Sequence, residues 1–207
     1  RALALAGITA DTLVGGDGEI ILDDKGQPTG VLNERAQRLV SKFIPTLSLA
    51  QRQRALQLAL ASLASLGITS FQDAGATQAD INLYQEFLSA KQLTSRVYVM
   101  INGSDPELLA SWMQRGPLID VDQRMLTVRS IKLVADGALG SRGAWLLEPY
   151  SDRAGHNGLP TMPVSEMQDI SHLAYRNGFQ IAIHAIGDRA NREVLDIFEA
   201  LFDGRDR

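Results

Sequence analysis

From residue 48 onward the sequence alternates between short apolar runs of strand character and amphipathic runs of helical character, and few architectures accept that alternation. The strand-like runs are ITSFQDAG at 68–75, RVYVMIN at 96–102, VRSIKLVADGALG at 128–140 and the start of GFQIAIHAIGDRANREVLDIF at 178–198. Ser48 and Gln51 stand at capping-box spacing ahead of Leu56, Ala59, Leu60, Leu63 and Leu66, and Gly67 stops that helical run. A second helix is expected at about 77–91, with Ile81, Tyr84, Phe87 and Leu88 on one side. Asp105, Pro106 and Glu107 supply cap, N1 proline and first-turn acid to a third, whose apolar stripe is Leu108, Leu109, Trp112 and Met113. A fourth is expected at about 165–177, stopped by Gly178. The order is strand, helix, strand, helix, strand, long loop, helix, strand, helix. Parallel strands joined by right-handed crossovers produce it, so the chain is α/β, either an open doubly wound sheet or a (β/α) barrel. Neither GxGxxG nor GxxxxGK[ST] occurs, so the dinucleotide and P-loop forms lack their phosphate cradle.

Residues 1–47 follow a different pattern. Gly15, Gly16 and Gly18, with GDGEI as a turn, precede EIILDDKGQPTGVL, where Asp24, Lys25 and Gly26 turn between two short strands. This reads as a hairpin appended to the main fold, followed by a short helix at 33–43 that Pro45 ends. Two domains are therefore expected, an irregular hairpin extension at 1–47 and an α/β body at 48–207. Between them the 207 residues, 45% hydrophobic and 21% charged, supply one sizeable apolar core. A net charge of -4 without a basic stripe argues against a nucleic-acid surface, and no run is long enough to span a membrane. The opening RALALAGITA is too short and too weakly charged for a secretory signal, and a cytoplasmic setting is the expectation. The chain lacks an initial methionine and stops at Asp206 and Arg207 straight after a helix, which reads as an internal piece of something longer.

Two polar side chains interrupt apolar strands. His184 is placed near the carboxyl end of a buried strand, where ligands of parallel α/β folds gather, and it reads either as such a ligand group or as a core histidine bonded to a carbonyl. Asp188 caps the helix that follows, with Gly187 easing the turn. In SIKLVADGALG, Lys132, Val134 and Asp136 share one face and Ile131, Leu133 and Ala135 the other. A lysine in such a run is costly unless paired, neutralised or modified. An ion pair with Asp136, a snorkelling side chain, a Schiff-base lysine and a lysine carboxylated by carbon dioxide all satisfy that requirement. With no cysteine in the chain, any metal must be held by nitrogen and oxygen. The 141–163 stretch has no periodicity, and loops of that length in compact domains are functional or mobile.

The runs GITSFQDAG, IKLVADGALGSRGAWLLEPYSD and IAIHAIGDRANREVLDIF, with AGIT and GEIILDDKGQPTGVLNERA before them, closely resemble the branch of the amidohydrolase superfamily called amidohydrolase family three, of the N-substituted formamide deformylase kind. The resemblance covers nearly the whole chain. It implies a metal-dependent hydrolase on a (β/α)8 TIM-like barrel, acting on carbon-nitrogen bonds other than ordinary peptide bonds in a small amide-type substrate. It further implies that Lys132 is carboxylated and, with His184, binds zinc or another divalent ion. Asp136 and Asp188 would orient those ligands or cap the helix, and Ser141 and Arg142 would meet a substrate carbonyl or carboxylate. The family's His-x-His pair, its further histidine and its aspartate base have no counterpart in the sequence, since His156 and His172 read as surface residues. About four of eight strand-helix units are expected. The chain is thus expected to be an inactive fragment that binds zinc weakly or not at all, and to self-associate through open barrel edges. The competing readings are a non-catalytic binding or regulatory domain of hydrolase ancestry and an aldolase-like Schiff-base enzyme.

Overall fold

The computed structural model describes residues 2–14 and 18–203, the side chain of Asp203 excepted. The turn expected at Gly15 and Gly16, and both chain ends, lie outside the described residues. In chain order the elements are α1 (Ala2–Leu5), β1 (Gly18–Leu22), β2 (Pro28–Glu34), a 3-10 turn (Arg35–Gln37), α2 (Arg38–Ser41), α3 (Leu49–Ser65), β3 (Ser70–Ala76), α4 (Gln78–Ser89), β4 (Arg96–Asn102), α5 (Pro106–Arg115), β5 (Leu118–Asp120), α6 (Val121–Arg124), β6 (Leu126–Val134), α7 (Val164–Arg176), β7 (Gln180–His184) and α8 (Asp188–Asp203). They form two compact units. One comprises Arg1–Thr46, Val134–Ser165 and His184–Arg207, the other Leu47–Leu133 and Glu166–Ile183.

The second unit carries a parallel-dominated sheet ordered β3-β4-β6-β5, with β7 also paired to β6. β3 pairs parallel to β4 from Ser70 opposite Arg96, and β4 parallel to β6 from Val97 opposite Leu126. Alternation decides which side chains are buried: Val97, Val99 and Ile101 of β4 and Leu126, Val128, Ile131 and Leu133 of β6 are all sealed from solvent. Tyr98, Met100 and Asn102 point to the other face and stay half-buried. The helices begin where their caps dictate. Ser48 and Thr77 each complete a capping box, and the Asp105 side chain accepts from the N–H groups of Glu107 and Leu108. α4 buries Ile81, Tyr84, Phe87 and Leu88 as its pattern requires, and α5 buries Leu108, Leu109 and Trp112. α3 buries only Leu56 and Leu60 of its expected stripe, leaving Leu66 exposed.

The first unit contains the hairpin, the long loop and α8. Asp23 builds the hairpin turn by accepting from Lys25 and Gln27 N–H groups, and β1 runs antiparallel to β2. The hairpin is bound into its unit: Arg153 forks onto the Glu19 carboxylate, and the Asn33 side chain donates to the Ser141 carbonyl at 3.1 Å. In α8 the buried residues are Ala190, Val194, Ile197 and Leu201, at helical spacing.

Three expectations are corrected, and one strand is added. The strand expected at 128–140 ends at Val134, because Ala135 N–H donates to the His184 carbonyl and Gly137 N–H to the Gly143 carbonyl, which turns the chain into a loop. The helix expected at 33–43 shrinks to the 3-10 turn and α2, because Asn33 and Glu34 are held in β2 by pairing with Glu19 and Gly18. The β7 strand is half-buried rather than buried: Ile181 and Ile183 are half-buried like His184, while Gln180 is exposed. The β5 strand, antiparallel to β6 through Leu118 opposite Val128, is an addition, three residues being too few to show a period.

Candidate functional site

The first unit is built around a carboxylate. Asp136 lies just past the end of β6, fully buried, and its two oxygens accept three backbone N–H groups: Trp145 at 2.8 Å, Ile186 at 2.9 Å and Gly187 at 2.7 Å. It therefore does not continue the strand face that the alternation assigned to it. Its neighbours are close enough to demand glycine, since a methyl on Gly187 would come 1.8 Å from the Trp145 carbonyl oxygen and one on Gly158 the same distance from that of Ala144. Charge-assisted bonds of this kind are stronger than neutral ones, and they pin the loop after β6 to the turn after β7.

His184 is the last residue of β7, and its side chain is 37% exposed. Its Nε2 stands 4.0 Å from Oδ1 of Asp136, beyond hydrogen-bond range, so the ring is held by its backbone and remains open to a ligand. Asp188 opens α8. Asn191 N–H bonds to the Gly187 carbonyl, which puts Gly187 at the cap position and Asp188 one residue inside. The Asp188 carboxylate instead accepts from the N–H groups of Arg189 and Leu147, both at 2.9 Å, and joins the long loop to the helix start.

Ser141 and Arg142 sit in the loop between Gly137 and Gly143. The Ser141 hydroxyl donates to the Ala138 carbonyl, and Arg142 forks onto Asp152 at 3.1 and 2.8 Å, which raises the guanidinium pKa and lowers that of Asp152. Arg142 has a φ of 59°, and the ring of His156 reaches its carbonyl at 2.8 Å while lying 5.8 Å from the ring of Tyr150. His156 is thus half-buried and bonded rather than a surface residue, and His172 on α7 is also half-buried.

Sequence reasoning missed Glu34. It ends β2 with φ 47° and ψ -122°, a conformation that costs a residue bearing a Cβ about 1–3 kcal/mol and that clusters at functional sites. Burial raises its carboxyl pKa, the Asp136 charge adds to the effect and His184 opposes it. A glutamate between a strand and a turn carries no sequence signal for any of this.

In the second unit, Lys132 of β6 is half-buried and its ammonium donates to the Leu133 carbonyl at 3.0 Å. Burial lowers its pKa. That favours the neutral amine, the form that reacts with carbon dioxide or a carbonyl carbon.

An open imidazole at a strand end fits one place in a metal's coordination shell. Among the described residues, however, no group of three His, Cys, Asp or Glu could hold a metal ion, so the residues present do not make up a donor set by themselves.

The comparisons with known proteins agree on ancestry. The sequence model described as "Amidohydrolase family" matches residues 1–206. The chain is similar to the putative amidohydrolase YtcJ of Bacillus subtilis (strain 168), with 30% identity covering 96% of this chain and 37% of that protein. It is also similar to an N-substituted formamide deformylase of Arthrobacter pascens, with 28% identity covering 97% of this chain and 38% of that one. Among solved structures it resembles an uncharacterized metal-dependent hydrolase from Pyrococcus horikoshii OT3, with a TM-score of 0.73 and 27% identity covering 96% of this chain and 38% of that chain. The chain spans 36% to 38% of the length of the curated relatives it matches.

Proposed function

The chain belongs to the amidohydrolase family, and from that premise we propose that the whole protein is a metal-dependent hydrolase of carbon-nitrogen bonds in small amides, built on a (β/α)8 barrel. The observation that carries this reading is His184, an imidazole without a hydrogen bond among the described residues, at the mouth of a strand and beside a carboxylate saturated by backbone donors. Such a histidine, 37% exposed and without a protein partner for its ring among the described residues, is not a satisfied core residue. In this reading His184 is a ligand of the metal and Lys132 is a second one after carboxylation. Carboxylation joins the neutral lysine nitrogen to carbon dioxide and releases one proton, and the lowered pKa of Lys132 supports that step. Zinc suits imidazole and carboxylate-type oxygen in a chain without cysteine. The chemistry a divalent cation supplies in hydrolases is activation of water for attack on a carbonyl carbon.

In this reading the contacts of this chain's residues support the following roles. Asp136 fixes the backbone just after His184, at Ile186 and Gly187, and so helps set the ring's position. Asp188 ties Leu147 to the start of α8, and Ser141 with Arg142 shapes the loop where a substrate's polar end is met. Among the described residues there is no complete donor set, so we expect the 207 residues alone to be inactive and to hold zinc weakly. The test uses the full-length protein and N-butylformamide. Release of formate and butylamine should stop on chelation, return on adding zinc, and fall at least about a hundredfold in Lys132→Ala and His184→Ala. Turnover that ignores both chelation and His184→Ala would sink the reading. The absence of any turnover, with zinc bound nowhere, would favour a binding or regulatory domain.

A further inference from the structure

The carboxyl of Glu34 occupies a slot cut for it in the loop after β6. A methyl on Gly137 would come 1.9 Å from its Oε1 and a methyl on Gly143 would come 2.5 Å from the same atom. Neither glycine has a positive φ, so what these positions require is space for the carboxyl rather than backbone freedom. The preceding residue, Asn33, clamps the same loop through the Ser141 carbonyl. The hairpin end therefore aims one acidic group at the segment that carries Asp136, on the side where His184 is also felt.

Asp136 is spent on three backbone N–H groups. Glu34 has no such donors: among the described residues no hydrogen bond or ion pair reaches its half-buried carboxyl. The Asp136 charge repels it while His184 attracts it, and its backbone is held in a conformation that glycine favours. A group that is kept partly from water, unpaired and strained is matched by a donor that arrives with a ligand.

We propose that Glu34 is a specificity-determining residue of the hydrolytic site, whose carboxyl, held between Gly137 and Gly143 beside Asp136 and His184, accepts a hydrogen bond from the N–H of the substrate's amide. This rests on the amide-hydrolase reading above and narrows it to amides whose nitrogen carries a hydrogen. Replacing that hydrogen by a methyl removes the donor and leaves the carboxyl unpaired.

The experiment compares N-butylformamide with N-butyl-N-methylformamide, titrated by NMR into the full-length protein, with formate release followed in the same samples. The wild type should bind the secondary amide about tenfold or more tightly over the tertiary one. E34M should bring that ratio close to one, and G137A should do the same by pushing the carboxyl out of its slot. The milder E34Q should keep part of the preference, because its amide oxygen still accepts. Equal binding of the two amides by the wild type, an unchanged ratio in E34M, or binding of neither amide overturns the proposal. Formate release answers the other question: a wild type that binds selectively without releasing formate contradicts the hydrolase reading and leaves the role of Glu34 supported.

Discussion

The sheet-bearing unit and the loop-bearing unit hold themselves together by different means. In the sheet-bearing unit, many apolar side chains share the work: Val97, Val99, Ile101, Leu126, Val128, Ile131 and Leu133 are all sealed from water along two neighbouring strands. In the loop-bearing unit, residues 135–163 contain no regular element, and much of their order passes through one buried carboxylate and a few glycines. Distributed burial tolerates exchange among apolar residues of similar volume. A polar hub does not, because each lost acceptor strands a backbone donor away from water. The difference suits a protein whose scaffold must be stable and whose loop must hold a few groups at set positions.

The sharpest way to break the comparison is to remove one residue from each unit. Trp112→Ala and Asp136→Ala should each cost on the order of 3–5 kcal/mol in urea unfolding. Their signatures in amide hydrogen exchange should differ. Asp136→Ala should deprotect the Trp145, Ile186 and Gly187 amides selectively, while Trp112→Ala, which opens a large cavity, should loosen the surrounding sheet unit broadly. Retained protection of those three amides in Asp136→Ala would end the account of Asp136 as a hub. Next in size is Gly187→Ala. Its methyl meets backbone rather than a flexible side chain, so about 2–3 kcal/mol is expected, and a neutral result would show that the Trp145 segment yields easily. Thr77→Ala, which removes a capping box in the sheet unit, should cost about 1 kcal/mol by the same assay.

The smallest effect is one of pH. Hydrogen bonding from Arg153 holds the Glu19 carboxyl below its ordinary value of 4.5, so the bond's contribution is complete above that pH and fades as pH falls through the lowered value. Glu19→Gln should therefore flatten the acid limb of the stability curve and leave the difference between variants constant at neutral pH. An unchanged acid limb would mean that Glu19 keeps its partner in the unfolded chain or never had it.

Legibility in the sequence followed the same division. The helices α4 and α5 and the strand β4 were readable to within a residue or two, because caps at Thr77 and Asp105 and strict alternation in RVYVMIN are local signals. The end of β6 was not readable. Nothing in LVADGALG separates a strand running to Gly140 from one that stops at Val134, since the decision is made by bonds to Gly143, beyond that stretch, and to His184, which is distant in sequence. His184 and Lys132 were visible as polar interruptions of apolar runs. Asp136 was visible as a residue, but its role was hidden, because backbone N–H groups have no side-chain signature. Glu34 was hidden altogether, its strain and its glycine slot being products of tertiary structure.

In the proposed function Lys132 serves a hydrolytic metal site rather than a core or a Schiff base. Full-length protein equilibrated with 13C-labelled bicarbonate tests it most directly. The account predicts one protein-bound carbamate carbon in the NMR spectrum, absent in Lys132→Arg and lost together with bound metal in His184→Ala. A spectrum without that carbon, coupled with borohydride trapping of a carbonyl compound on Lys132, would contradict it.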